Sequence, residues 1–96
     1  MADLKPSDIV QSLAGHDRGE LFFVLRMENG FAWVVDGRLR RCTKPKRKNV
    51  KHLAFAAAGI SPVAERIARG VSVTDSEVRK ALAPLRAASQ TAKGGN

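Results

Sequence analysis

Residues 21–35 read L-F-F-V-L-R-M-E-N-G-F-A-W-V-V, two runs of large β-forming residues separated by Asn29-Gly30. Asn-Gly tolerates the positive φ angles of a two-residue hairpin turn, so Leu21 to Met27 and Phe31 to Val35 are expected to be paired antiparallel strands. Working outward, Ile9 to Leu13 is a short apolar-polar alternation that suits another strand, and G-H-D-R-G at 15–19 is the loop between them. On the other side Asp36-Gly37 repeats the turn chemistry. Arg38 to Cys42 then reads as a fourth strand, Lys44 to Lys48 as a loop interrupted by Pro45, and Asn49 to Leu53 as a fifth strand. Leu39 and Cys42 differ in strand parity, so either a bulge lies near Arg40-Arg41 or the strand ends there.

A meander of about five short strands cannot bury both faces of an open sheet, and curling into a small SH3-like or OB-like barrel is the usual solution. The fold class expected is therefore mainly β with an α extension. Residues 7–53 would form the barrel, 54–60 an apolar connector and 61–88 a helical extension of two short helices, with 89–96 a disordered tail. Ser61-Pro62 offers an N-cap followed by proline at the first helical position, and Gly70 stops that helix. T-D-S-E at 74–77 has capping-box spacing. Val78, Ala81, Leu82 and Leu85 fall on one helical stripe, and Pro84 should kink or end the helix. Leu21 to Met27 is apolar on both faces, so the helices are the expected cover for one of them.

Charge is the second informative feature. Lys and Arg total 17 against 9 Asp and Glu, a formal charge of +8. Between Gly37 and Ala64 there is no carboxylate, and Arg38, Arg40, Arg41, Lys44, Lys46, Arg47, Lys48 and Lys51 crowd its first half. A merely soluble surface mixes signs, whereas an acid-free basic run is the electrostatic footprint of a surface that meets phosphates.

The chain from Ser7 to Leu53 resembles the KOW domain of RNA-binding and ribosomal proteins, in particular a small bacterial KOW-domain family related to large-subunit ribosomal proteins of archaea and eukaryotes. The matching pieces are I-V-Q-S-L, A-G-H-D-R-G-E, L-F-F-V-L, V-D-G-R-L-R-R and K-P-K-R-K-N-V-K-H-L, with V-T-D-S-E-V-R-K-A-L similar to that family's terminal helix. The resemblance implies an SH3-like barrel, RNA as partner, structured or ribosomal RNA in particular, and association with the ribosome. It also implies RNA contact by the Gly15–Gly19 loop, through Arg18 and His16, with Gly15 and Gly19 shaping the turn. Asp17 would brace that loop. His52 beside Lys51 would extend the basic surface.

Phe22, Phe23, Phe31 and Trp33 are expected in the core, where most aromatics of a small barrel lie. If exposed, they would instead be able to stack on unpaired bases. The single cysteine, Cys42, forms no internal disulfide and reads as a small buried hydrophobe. One cysteine and two histidines make no metal set, no Ser-His-Asp order or carboxylate pair stands out, and G-H-D-R-G lacks the length and Gly-Lys-Ser/Thr end of a P-loop. No enzyme activity, cofactor or small-molecule substrate is expected. The start of the chain lacks a signal-peptide pattern and no apolar run reaches a membrane span, so a cytoplasmic protein with no membrane partner is expected. Two other readings stay open. One is an SH3-like protein-interaction module, with the Val78–Leu85 stripe docking on a partner helix; the other is DNA binding, which the basic run serves equally well.

Overall fold

The computed structural model of the protein describes residues 3–94, and the side chains of residues 3–88. Five antiparallel strands come first: β1 (Ile9–Ser12), β2 (Leu21–Glu28), β3 (Phe31–Val35), β4 (Lys46–Asn49) and β5 (Leu53–Ala57). Two helices follow, α1 (Pro62–Ala68) and α2 (Asp75–Gly94). The sheet order is β4-β3-β2-β1-β5. Asn29 and Gly30 adopt φ of 50° and 81°, the turn that Asn-Gly favours, and place Phe31 opposite Glu28.

Alternation along the strands sends apolar side chains to two separate cores. Ile9, Leu21, Phe23 and Val35 share one face, which α1 and α2 cover with Ala64, Ile67, Val78 and Leu82. Val10, Phe22, Val24, Ala32 and Val34 share the other and pack with Leu53. No helix is needed on that second face, because the sheet curls over it. Strands sit roughly 4.8 Å apart, so β1 and β4, three steps apart in the order, would be about 14 Å apart in a flat sheet. Yet Lys48 Nζ on β4 lies 2.7 Å from Ser12 Oγ on β1. The curl stops short of closure: β4 and β5 remain the two edges of an open sheet, where the sequence reading expected a closed barrel.

The hairpin, α1, the start of α2 and the helix caps lie where the sequence placed them. Ser61 Oγ accepts from the Ala64 amide at 3.1 Å, and Gly70, at φ 78°, ends α1 with its own amide on Ile67 and that of Val71 on Arg66. Thr74 Oγ1 accepts from the Glu77 amide at 3.2 Å while Glu77 Oε1 accepts from the Thr74 amide at 3.0 Å, a complete capping box. Arg66 and Glu77 form an ion pair that ties α1 to α2.

Four expectations need correction. Arg38 to Cys42 is not a strand: buried Asp36 folds the chain back on itself, its Oδ1 accepting from the amides of Arg38 at 2.9 Å and Arg40 at 2.8 Å. Those amides are spent locally and cannot serve a ladder. The fourth strand is instead Lys46–Asn49, in the segment read as a loop, and Pro45 sits just before its first residue, where a missing amide costs no ladder bond. Residues 54–57 of the supposed connector belong to β5, which follows a single 3-10 turn at Val50–His52 and pairs with β1. Finally, α2 passes through Pro84 and Ala88 to Gly94, with no further proline or glycine to stop it before then, over most of the segment expected to be a disordered tail. Residues 95–96 of that tail lie outside the described residues.

Candidate functional site

The basic run forms a loop held against the first turns of α2. Gly37, at φ 75°, packs so closely on the start of α2 that a Cβ there would run into the carbonyl oxygen of Asp75. Arg79 Nη1 donates to the Gly37 carbonyl at 2.6 Å. Arg86 Nη2 lies 3.7 Å from Asp36 Oδ2, and the Asp75 carboxylate accepts from the Cys42 amide at 2.7 Å. The bond from that amide, with Arg41 and Arg79 nearby, holds the Asp75 carboxyl below its usual range. Burial and the hydrogen bond with Asp75 push the Cys42 thiol up to about 11, so it stays protonated, half-buried against the helix-covered core.

From this anchored frame Arg40, Arg41, Lys44, Lys46 and Arg47 line an open depression of about 470 Å3, with Leu39, Thr43 and Pro45 completing it. Arg38, Arg41, Lys44 and Arg47 are exposed, Arg40 and Lys46 partly so. Among the described residues none of these six, nor Arg18 or Lys51, forms an ion pair. By contrast Asp8, Asp17, Asp36 and Glu77 are each engaged by a cation of the fold itself. The loop's cations are thus free of ion pairs and concentrated in a concave surface, which suits a polyanion.

Lys48 does not belong to that surface. It stands opposite Ala32 in the register and points into the curl, where Nζ lies 2.8 Å from Asp17 Oδ1, 2.7 Å from Ser12 Oγ and 3.1 Å from the Ala14 carbonyl. Its side chain is 9 % exposed and that of Asp17 5 %. Burial pushes the Asp17 carboxyl up, and the bonds from Lys48 and Ser12 outweigh that, so it stays ionised below the usual range. Asp17 thus braces the Gly15–Gly19 loop, as its place between two glycines suggested. Gly15 and Gly19 take φ of 87° and 90°, and His16 and Arg18 are exposed at the tip. Lys51 and His52 are exposed on the 3-10 turn, whose His52 carbonyl accepts from the Leu13 amide at 2.8 Å, next to the same loop.

The aromatics divide in a way the sequence reading did not anticipate. Phe22 and Phe23 are fully buried, one in each core, but Phe31 and Trp33 lie outside both cores and are half-buried. Each is capped by an arginine: Arg26 Cζ lies 4.1 Å from the Trp33 ring centroid and Arg47 Cζ 4.5 Å from that of Phe31. Arg26, absent from the basic run, is the cation that the sequence reading missed. The charged residues of R-M-E after the apolar L-F-F-V-L were the sequence sign that β2 becomes more exposed toward its far end.

The Val78, Ala81, Leu82, Leu85 stripe packs on the chain's own sheet, which removes it as a docking face for a partner helix. No helix among the described residues is long and apolar enough to cross a membrane. Scanned against models of known protein families and against curated proteins, the chain matches none.

Proposed function

We infer that this chain is a non-enzymatic RNA-binding protein that holds the phosphate backbone of a structured RNA, ribosomal RNA being the leading candidate, in the cytoplasm. The observation carrying this reading is the depression of Arg40, Arg41, Lys44, Lys46 and Arg47, whose cations form no ion pair among the described residues, while Asp8, Asp17, Asp36 and Glu77 are engaged by other cations. The likeness of Ser7 to Leu53 to KOW domains favours RNA over DNA, and the curled five-stranded sheet is compatible with that family's SH3-like fold. Arg38 and the loop-tip Arg18 extend the surface. Contact is mainly electrostatic: the loop's cations neutralise phosphates, and phosphate contacts fix the position of the backbone without carrying sequence information.

Cross-linking in cells followed by sequencing of the attached RNA tests this. Ribosomal RNA fragments are expected; scattered messenger RNA would redirect the partner, and recovery of DNA or of no nucleic acid would overturn the reading. In vitro, log K should fall with log salt at a slope near −3 to −4 if about 4 to 6 phosphates are neutralised on single-stranded RNA.

A further inference from the structure

The outer face of β2, β3 and β4 continues past the helix-covered core as a rung of alternating arginine and aromatic side chains. In register Arg26 stands opposite Trp33, and Trp33 opposite Arg47. The next rung sets Phe31 between Glu28 and Asn49. A register shift between Val24 and Arg26 makes this possible. Leu21, Phe23 and Leu25 all serve the helix-covered core, so under unbroken alternation Arg26 would face into the curl; the bulge turns it to the outer face beside Trp33.

Stacking of this kind orders the side chains before any ligand arrives. A guanidinium held over an aromatic ring is attracted by the ring quadrupole, and it keeps its other face and its N–H edges available. Among the described residues neither Arg26 nor Arg47 forms an ion pair with a carboxylate, so two stacked guanidiniums stand unpaired beside two half-buried rings, with Glu28 on the next rung. Aromatic faces and guanidinium planes are the two protein surfaces on which unpaired bases stack. Arg47 belongs both to this rung and to the basic depression, so a strand whose phosphates occupy the depression brings its bases to the rung.

We propose that Arg26, Trp33, Arg47 and Phe31 form a stacking site for unpaired RNA bases. This rests on the RNA-binding reading and narrows its ligand to RNA that presents an unpaired stretch, since the bases of a duplex already stack on one another.

Trp33 is the chain's single tryptophan, so its fluorescence reports on the site directly. The full chain is titrated with end-labelled oligouridine of about 12 nucleotides, a length within the range that single-strand sites cover. Blunt duplex RNA and oligodeoxythymidine of the same length are titrated alongside, with label anisotropy measuring binding independently. Oligouridine should quench Trp33 in step with binding, whereas duplex RNA should bind without quenching. Trp33→Leu should weaken oligouridine binding by about 5- to 100-fold while sparing duplex affinity and the salt slope, and Trp33→Phe should restore most of the loss. Oligouridine binding with unchanged Trp33 fluorescence, or equal losses on both RNAs in Trp33→Leu, would overturn the stacking site and leave the basic-surface reading intact. Oligodeoxythymidine binding as tightly as oligouridine would overturn RNA as its ligand, and binding of no probe would overturn both readings.

Discussion

Lys48 Nζ and Asp17 Oδ1 lie 2.8 Å apart inside the curl of the sheet, joining the β4 edge to the loop that follows β1. Ser12 Oγ, 2.8 Å from the same carboxylate oxygen, completes the cluster. Two opposite charges buried this well are costly to separate, because whichever partner remains is left ionised without water. Lys48→Met should destabilise the fold by about 3 to 5 kcal/mol, measured by urea unfolding. The double variant Lys48→Met, Asp17→Leu should recover much of the loss, as replacing both buried charges often does. RNA affinity of the folded fraction should stay near the parent's. A selective loss of affinity with full stability would return Lys48 to the binding surface.

Acid sensitivity follows from the ion pair between the helices. Arg66, with the Thr74 amide, lowers Glu77 to about 2 from an ordinary 4.5. The folded state therefore prefers the carboxylate, and the stability this contributes is complete above about pH 5 and drains away as pH falls from 4.5 toward 2. Asp17, also held below its usual range, acts in the same direction at acid pH. Melting temperature should fall between pH 5 and pH 2.5, and Glu77→Gln should fall less over that interval from a lower start. A parallel fall in both proteins would show that the pair does not set the acid limb.

The fate of Lys48 shows where sequence reading reached its limit. Turn chemistry and caps are local, so Asn29-Gly30, Ser61-Pro62 and the Thr74–Glu77 box were legible from spacing alone, and the Val78–Leu85 stripe announced its buried face. Asp36 defeated the pattern because its side chain captures the Arg38 and Arg40 amides, a competition that strand propensity does not register. Lys48 looked like one more exposed cation because its partner is 31 residues away in sequence and is met only when the sheet curls. Arg26 was overlooked because a bulge, not alternation, decides its face.

Attachment of the basic loop to α2 depends on Gly37. A methyl group there would meet the Asp75 carbonyl, and φ of 75° is strained for any other residue. Gly37→Ala should lower stability by about 1 to 3 kcal/mol. It should also weaken RNA binding, since the loop loses its seat beside Arg79 and Asp75. Leu82→Ala, wholly inside the core, is the contrasting case: a loss of about 2 to 5 kcal/mol with affinity of the folded protein unchanged. Equal effects of the two variants on affinity would mean that loop seating does not matter for binding.

The strongest test of the basic depression separates charge from structure. Arg41, Lys44 and Arg47 are exposed and outside every internal ion pair among the described residues, so Arg41→Ala, Lys44→Ala, Arg47→Ala together should leave the fold intact by circular dichroism and melting. Each phosphate contact on single-stranded RNA contributes roughly 0.7 to the slope of log K against log salt, so losing three should flatten that slope by about 2. On duplex RNA the fractional loss should be similar across unrelated sequences, because phosphate contacts carry no sequence information. Oligouridine should lose more than duplex, since Arg47 also caps Phe31 in the stacking rung. If the triple variant keeps the parent's slope on both RNAs, the acid-free run is a solvated face and the phosphates are bound elsewhere.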